Sequence, residues 1–145
     1  MSKSVRVERD GEIVVVELNP DHFTIDPSCL DKDLCSLGRV MLDYGEVEAE
    51  LRTEVARKEA QVAAYYAASD SSLRHKAKTV GEKATENQIK NTILQDETYQ
   101  ALLVGLRQSE MYHGLMRWAM NALNHKGDCL RAMAYRERQL MKMET

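Results

Sequence analysis

The sequence predicts a mainly α protein: an N-terminal β-hairpin followed by long antiparallel, coiled-coil-like helices, assembling as a homo-oligomer. Three observations carry this expectation. Aromatic residues make up only 6% of the 145 residues, with 2 Pro and 7 Gly, a mixture that favours helices over turn-rich sandwiches or barrels. Apolar residues recur at alternating three- and four-residue steps over most of the chain. Asp10-Gly11 separates two β-branched runs near the start, the strongest short-range hairpin signal. The length is that of one ordinary domain, which leaves no room for a second, catalytic one.

The hairpin occupies Val5 to Leu18, and residues 1–27 form a hairpin-and-loop segment ahead of a helical domain over 28–145. Two strands alone are marginal in water, so they must pack on the helical body or on a neighbouring subunit. The four consecutive apolar residues Ile13 to Val16 predict that both faces of the second strand are covered. Asn19-Pro20 and Asp26-Pro27 bracket the loop, and Asp26-Pro27-Ser28 starts a helix, because Pro is tolerated in a first turn.

That helix is expected over about 28–68. Leu30, Leu34, Leu37, Met41, Tyr44, Leu51, Val55, Val62 and Tyr65 form its apolar stripe, with Glu48 and Lys58 filling the intervening seam positions. Glycine in a helix interior costs about 1 kcal/mol relative to Ala, so a kink or a break is expected near Gly45. Ser69-Asp70-Ser71-Ser72 interrupts the pattern and opens a basic connector over about 69–84. Thr85-Glu86-Asn87 starts a short helix over about 85–95, and Asp96 starts a long one over about 96–143. Its stripe runs from Tyr99 through Leu106, Met116, Leu123 and Leu130 to Ala134. Two such stripes and a single Trp, Trp118, bury little by themselves, which is why self-association is expected.

Charge and cysteines narrow the function classes. Residues 1–54 hold 13 acidic and 6 basic side chains, against 10 and 14 over the rest, so the net charge of -3 hides an acidic front and a basic remainder. That polarity suits a polyanion partner on one side. Cys29, Cys35 and Cys129 cannot all pair within one chain and read as reduced thiols. With no run of about 20 apolar residues and no secretory leader pattern, the expectation is a cytoplasmic chain with no membrane role.

No catalytic constellation survives a test of spacing, so the chain is read as a non-enzyme without cofactors. His125 and Cys129, at i and i+4, could hold two corners of a zinc site, but the other corners would have to come from the scattered His22, Cys29, Cys35 or His75. Asp43, Glu46, Glu48, Glu50 and Glu54 spread around a helix instead of converging as an acid/base pair. What remains is a binding surface. Arg74, His75, Lys76, Lys78, Lys83 and Lys90 form the densest cationic stretch and follow Tyr65-Tyr66, the pairing of cations and rings that neutralises phosphates and stacks unpaired bases. A core role for Tyr65 and a merely solvating role for the lysines is the competing interpretation. The C-terminal Arg131, Arg136, Arg138 and Lys142 read as a solvated face, and the methionines of the last helix as core or subunit interface.

Three segments taken in order, LDYGEVEAELRTEVARKEAQVAAYYA, KAKTVGEKATENQIKNTILQDETYQALLVGL and WAMNALNHKGDCLRAMAYRERQL, resemble the phage recombination mediators of the UvsY type and related small single-strand DNA-binding proteins. The resemblance runs from about Leu42 to Leu140 and leaves out the hairpin. It implies a small helical protein forming a ring-like homo-oligomer, in the bacterial host cytoplasm if phage-encoded. Such a protein binds single-stranded DNA and helps load a RecA-like recombinase in place of the single-strand-binding protein. It also implies DNA contact near the aromatic end of the first helical region, where this chain has Arg57, Lys58, Tyr65 and Tyr66, then Arg74 to Lys83. Ala63 and Ala64 stand where the family pattern has another cation. The alternative from another class is a helical scaffold or assembly protein with no nucleic-acid role.

Overall fold

A computed structural model describes residues 3–144 and is mainly α with an N-terminal two-stranded hairpin. Strands β1 (Lys3–Arg9) and β2 (Glu12–Leu18) pair antiparallel, with Val5 opposite Val16 and Val7 opposite Val14. The turn residues Asp10 and Gly11 both have positive φ, 51° and 80°, the pattern of the two-residue turn whose twist matches that of the strands. One face of the hairpin carries Val5, Val7 and Leu18 into the core, with Val14 and Val16 packed beside them. The other face is open within one chain, Ile13 being 71% and Val15 55% exposed, so of the covering expected from Ile13 to Val16 the helical body supplies one face. Strand alternation sends every second residue outward, and no element among the described residues covers that side.

Two 3-10 turns, Pro20–Phe23 and Pro27–Cys29, follow the hairpin, each with proline in its first turn. The Asn19 and Asp26 side chains accept the Asp21 and Ser28 backbone N–H groups that would otherwise go unpaired there. Three helices complete the chain: α1 (Leu30–Val80), α2 (Glu86–Gln95) and α3 (Glu97–Glu144). The expected stop of α1 near residue 68 and break at Gly45 do not occur. The helix continues through Ser69-Asp70-Ser71-Ser72 because Leu73 extends the apolar stripe, packing with Val62, Tyr65 and Tyr66 against the α2 residues Ile89 and Ile93. Burial of that stripe outweighs the weak helix propensity of four polar residues. Helix α1 ends only at Gly81, whose φ of +77° is open to glycine. Gly81 donates to the Lys78 carbonyl and Glu82 to the Ala77 carbonyl, a Schellman closure. The connector is therefore five residues, 81–85, and Arg74, His75, Lys76 and Lys78 sit on a helix.

The chain forms two compact units, one built from residues up to Leu51 and from Tyr112 onward, the other from Arg52 to Met111. In the first, Leu37, Tyr44, Val47 and Leu51 of α1 meet Met116, Ala119, Leu123 and Leu130 of α3, and the hairpin valines close one side. A Cβ at Gly127 would lie 3.1 Å from Leu37, a tight approach that favours glycine there, whereas one at Gly45 would meet Met120 at an ordinary 3.8 Å. In the second unit, Ile89, Ile93 and Tyr99 are the buried centre. Helix α2 opens on a reciprocal cap in which Thr85 Oγ1 accepts the Gln88 N–H and Gln88 Oε1 accepts the Thr85 N–H.

Asp96 divides α2 from α3. Its Oδ1 accepts the N–H groups of Thr98 and Tyr99 at the start of α3, and both carboxylate oxygens accept the Tyr65 hydroxyl at 3.0 Å. The Tyr99 backbone bond above all holds this carboxyl below the usual range; burial opposes it, and the Tyr65 and Thr98 bonds add to the lowering. A folded-state pKa below the unfolded value of about 3.9 stabilises the fold above that pH, and the contribution disappears as pH falls through the folded value. Urea midpoints should therefore fall as the pH is lowered below about 4. Asp96→Asn, which retains a capping oxygen, should flatten that part of the profile, and an equally steep acid loss in the variant would contradict the role given to Asp96.

Candidate nucleic-acid interface

The residues singled out from the sequence fall into two groups on the second unit. The first group is engaged in holding the unit together. Lys58 is half-buried, and its Nζ donates to Ser109 Oγ at 2.7 Å and to the Gly105 carbonyl at 3.4 Å, beside Glu54 Oε1 at 3.2 Å. Ser109 Oγ donates in turn to Glu54 Oε1, and the other Glu54 oxygen is buried without a hydrogen-bond partner. Tyr65 spends its hydroxyl on Asp96, and its ring stacks on Tyr99 at 6.4 Å, while Tyr66 meets the same Tyr99 ring at 5.9 Å and 59°. Both tyrosines are half-buried and pack on the Ile89, Ile93 and Tyr99 cluster. Of the two interpretations the sequence allowed for Tyr65, this geometry is the core one.

Arg74 is also engaged. Its Nε donates to Asp70 Oδ2 at 3.1 Å and its Nη2 to Glu86 Oε1 at 2.7 Å, bracing the end of α1 to the start of α2. Glu86 first, then Asp70, raises the guanidinium above its ordinary value. A cation shared by two carboxylates offers no net positive charge to a phosphate.

The second group is exposed. Arg57 lies on the solvent side of α1, and His75, Lys76 and Lys78 follow on its last turns. Lys83 lies in the connector and Lys90 on the outer side of α2. Among the described residues Lys76, Lys78, Lys83 and Lys90 make no ion pair. Two shallow cavities flank this end of the helix pair. One, of about 300 Å³, is bordered by Ser69, Ser72, Lys76 and Thr92, and the other, of about 310 Å³, by Arg74, Lys78, Glu82 and Lys83. Three ammonium groups thus border these hollows, Lys76 the first and Lys78 and Lys83 the second, with Asp96 the carboxylate bordering the first and Glu82 the one bordering the second, while Lys90 stands on α2 outside both.

The first unit holds a group that the sequence reading did not find. Phe23 stacks on the buried Tyr44 ring at 6.0 Å and 14°, and approaches Trp118 at 5.8 Å. Lys3 Nζ lies 5.4 Å over the Trp118 ring. The Tyr44 hydroxyl accepts the Asn19 N–H at 3.1 Å and hydrogen-bonds with His22 Nδ1 at 2.7 Å, and burial pushes its phenol up. Lys126, buried on α3, donates to the His22 carbonyl and pins the same 3-10 turn from below. These residues come from four distant stretches of chain, and no spacing rule links them.

The proposed zinc corners His125 and Cys129 do meet, with Nε2 and Sγ 3.7 Å apart. Among the described residues no group of three His, Cys, Asp or Glu side chains could hold a metal ion. The scattered donors thus do not converge on that pair. No helix among the described residues is long and apolar enough to cross a membrane. Comparison with known proteins finds no matching family model, no similar curated protein and no similar solved structure.

Proposed function

We propose that the chain is a non-enzymatic single-stranded DNA-binding protein of recombination-mediator type, which engages phosphates through Lys76, Lys78, Lys83 and Lys90. In that role it helps load a RecA-like recombinase in place of the single-strand-binding protein. The observation that carries the DNA-binding part is that Lys76, Lys78 and Lys83 at the α1–α2 junction and Lys90 on α2 are exposed and make no ion pair among the described residues. The resemblance of the helical region to the UvsY-type mediators supplies the recombinase step. Because Tyr65 and Tyr66 are committed to Tyr99 and Asp96, binding at this junction is electrostatic and does not depend on stacking. Four cations per chain give modest affinity, so tight binding requires several copies on one strand, where linkage raises the effective concentration. Self-association has its own support in the exposed Ile13, Val15, Leu140, Met141 and Met143 of the first unit. The same apolar surface favours the helical-scaffold alternative if no strand is bound.

The test is the salt dependence of binding. Changing Lys76, Lys78 and Lys83 together to Ala should leave the fold intact, since exposed unpaired cations contribute little to stability. It should reduce the slope of log K against log salt by about 2, at about 0.7 per phosphate on single strands. Affinity should rise steeply with oligonucleotide length, and light scattering should show more than one copy per strand. An unchanged slope, or tighter binding to duplex than to single strands, would leave the scaffold reading standing. Faster recombinase assembly on strands already coated with single-strand-binding protein tests the loading step.

A further inference from the structure

We propose that the cavity bordered by Leu18, Pro20, Phe23 and Trp118, with Lys3 at its edge, seats one nucleotide of a bound single strand: the base against the rings and its phosphate on Lys3. The inference rests on the single-strand reading but concerns a different unit of the fold. The cavity is about 220 Å³, below the range of pockets for drug-sized ligands, and suits one flat ring system. Its walls are an indole, a phenyl ring, a proline ring and a leucine, which favour a planar apolar group. Lys3 is the single charged residue bordering it, so the group that completes the site is an anion carried by that planar ring. A nucleotide unit carries both parts, and every base has a face to stack whatever its sequence.

The platform is braced by contacts within its own unit. Phe23 is backed by the buried Tyr44 ring, and the turn that carries Pro20 and Phe23 is held by Tyr44 from one side and Lys126 from another. Trp118 is nevertheless 54% exposed, an unusual position for a large aromatic side chain on a helix whose inner face has room for Met116, Ala119 and Leu123. The Lys3 ammonium over its ring is an exposed cation–π contact, the weak kind, and a long flexible side chain can leave the ring for a phosphate without disturbing the strand that carries it.

Trp118 is the one tryptophan of the chain, so its emission reports the site directly. The full-length protein is titrated with an oligo(dA) strand and with an abasic strand of the same length, binding being followed separately by the anisotropy of a label on the strand. Both strands should bind through phosphates, and oligo(dA) alone should quench Trp118. Trp118→Ala should weaken oligo(dA) binding by about 5- to 150-fold with the salt slope unchanged, and Trp118→Phe should recover most of the loss. Lys3→Ala should lower the slope by about 0.7. Oligo(dA) binding with unmoved emission, or equal quenching by the abasic strand, overturns the seat while the junction lysines stand. If no strand binds, the single-strand reading falls, and millimolar dAMP decides the cavity: quenching by dAMP supports a nucleotide seat, and unmoved emission ends it.

Discussion

Leu123→Ala is expected to destabilise the first unit by about 3–5 kcal/mol, the range for emptying a fully enclosed leucine site that collapses only partly. Leu123 has no exposed surface and belongs to the cluster formed by Leu37, Tyr44, Val47, Leu51, Met116 and the hairpin valines. The Tyr44 hydroxyl and the buried Lys126 ammonium in the same unit are already committed, the first to Asn19 and His22 and the second to the His22 carbonyl. The loss should appear as a lower urea midpoint with little change in slope, read by Trp118 emission because that ring lies in the same unit. A shift below about 1 kcal/mol would mean that the packing of α1 against α3 in this unit is not as described. Ile13→Ala on the open face of the hairpin is the matching control, since a side chain that is 71% exposed loses little burial when truncated.

The elements were legible in the sequence wherever one local signal decided them. The Asp-Gly signal located the hairpin turn to within one residue, Arg9 closing β1 instead of opening the turn, and Thr85 and Asp96 located the starts of α2 and α3. These signals are chemical: positive φ at the turn, and side-chain oxygens that satisfy backbone N–H groups. The end of α1 was misjudged because Ser69-Asp70-Ser71-Ser72 is a breaker only when nothing beyond it needs burial. Leu73 does, and its partners Ile89 and Ile93 lie on another helix, out of reach of any local window. The covering of β2 is a related case. Four apolar residues in a row do not state what covers each face, and the described residues of one chain cover one of them.

The candidate interface divides along the same line. Charge type and position were visible, so the exposed Lys76, Lys78, Lys83 and Lys90 could be named from the sequence. Which cations are already spent was not visible. The Arg74 pair with Asp70 follows helical spacing and could have been anticipated, whereas its pair with Glu86 needs the Gly81 turn to bring α2 back. Tyr65 and Tyr66 looked like stacking rings because they precede lysines, but Tyr99 and Asp96, more than 30 positions later, claim them. The Phe23, Tyr44 and Trp118 group left no trace at all, since its members share neither an element nor a period.

Lys58 is where these two accounts of a cation make opposite predictions. In the structure its ammonium is the donor at the centre of a part-buried set with Ser109, Glu54 and the Gly105 carbonyl. Lys58→Met removes that donor and leaves Glu54, whose side chain is 11% exposed and has one oxygen already unpartnered, facing an apolar neighbour. Removing one member of a buried pair costs about 3–5 kcal/mol, and the 24% exposure of the Lys58 side chain lowers the expected figure to about 2–3 kcal/mol. Lys58→Met combined with Glu54→Leu should return to within about 1 kcal/mol of the original stability, because two apolar side chains replace the pair without a stranded charge. Ser109 can then turn its hydroxyl to the Gly105 carbonyl four residues earlier on its own helix, so it is not orphaned. The cycle should yield a coupling of about 2 kcal/mol, and strand affinity and salt slope in the double variant should match those of the unaltered protein. If Lys58→Met instead leaves stability unchanged and lowers the salt slope by about 0.7, the ammonium contacts phosphate and the interface extends along α1 toward Arg57.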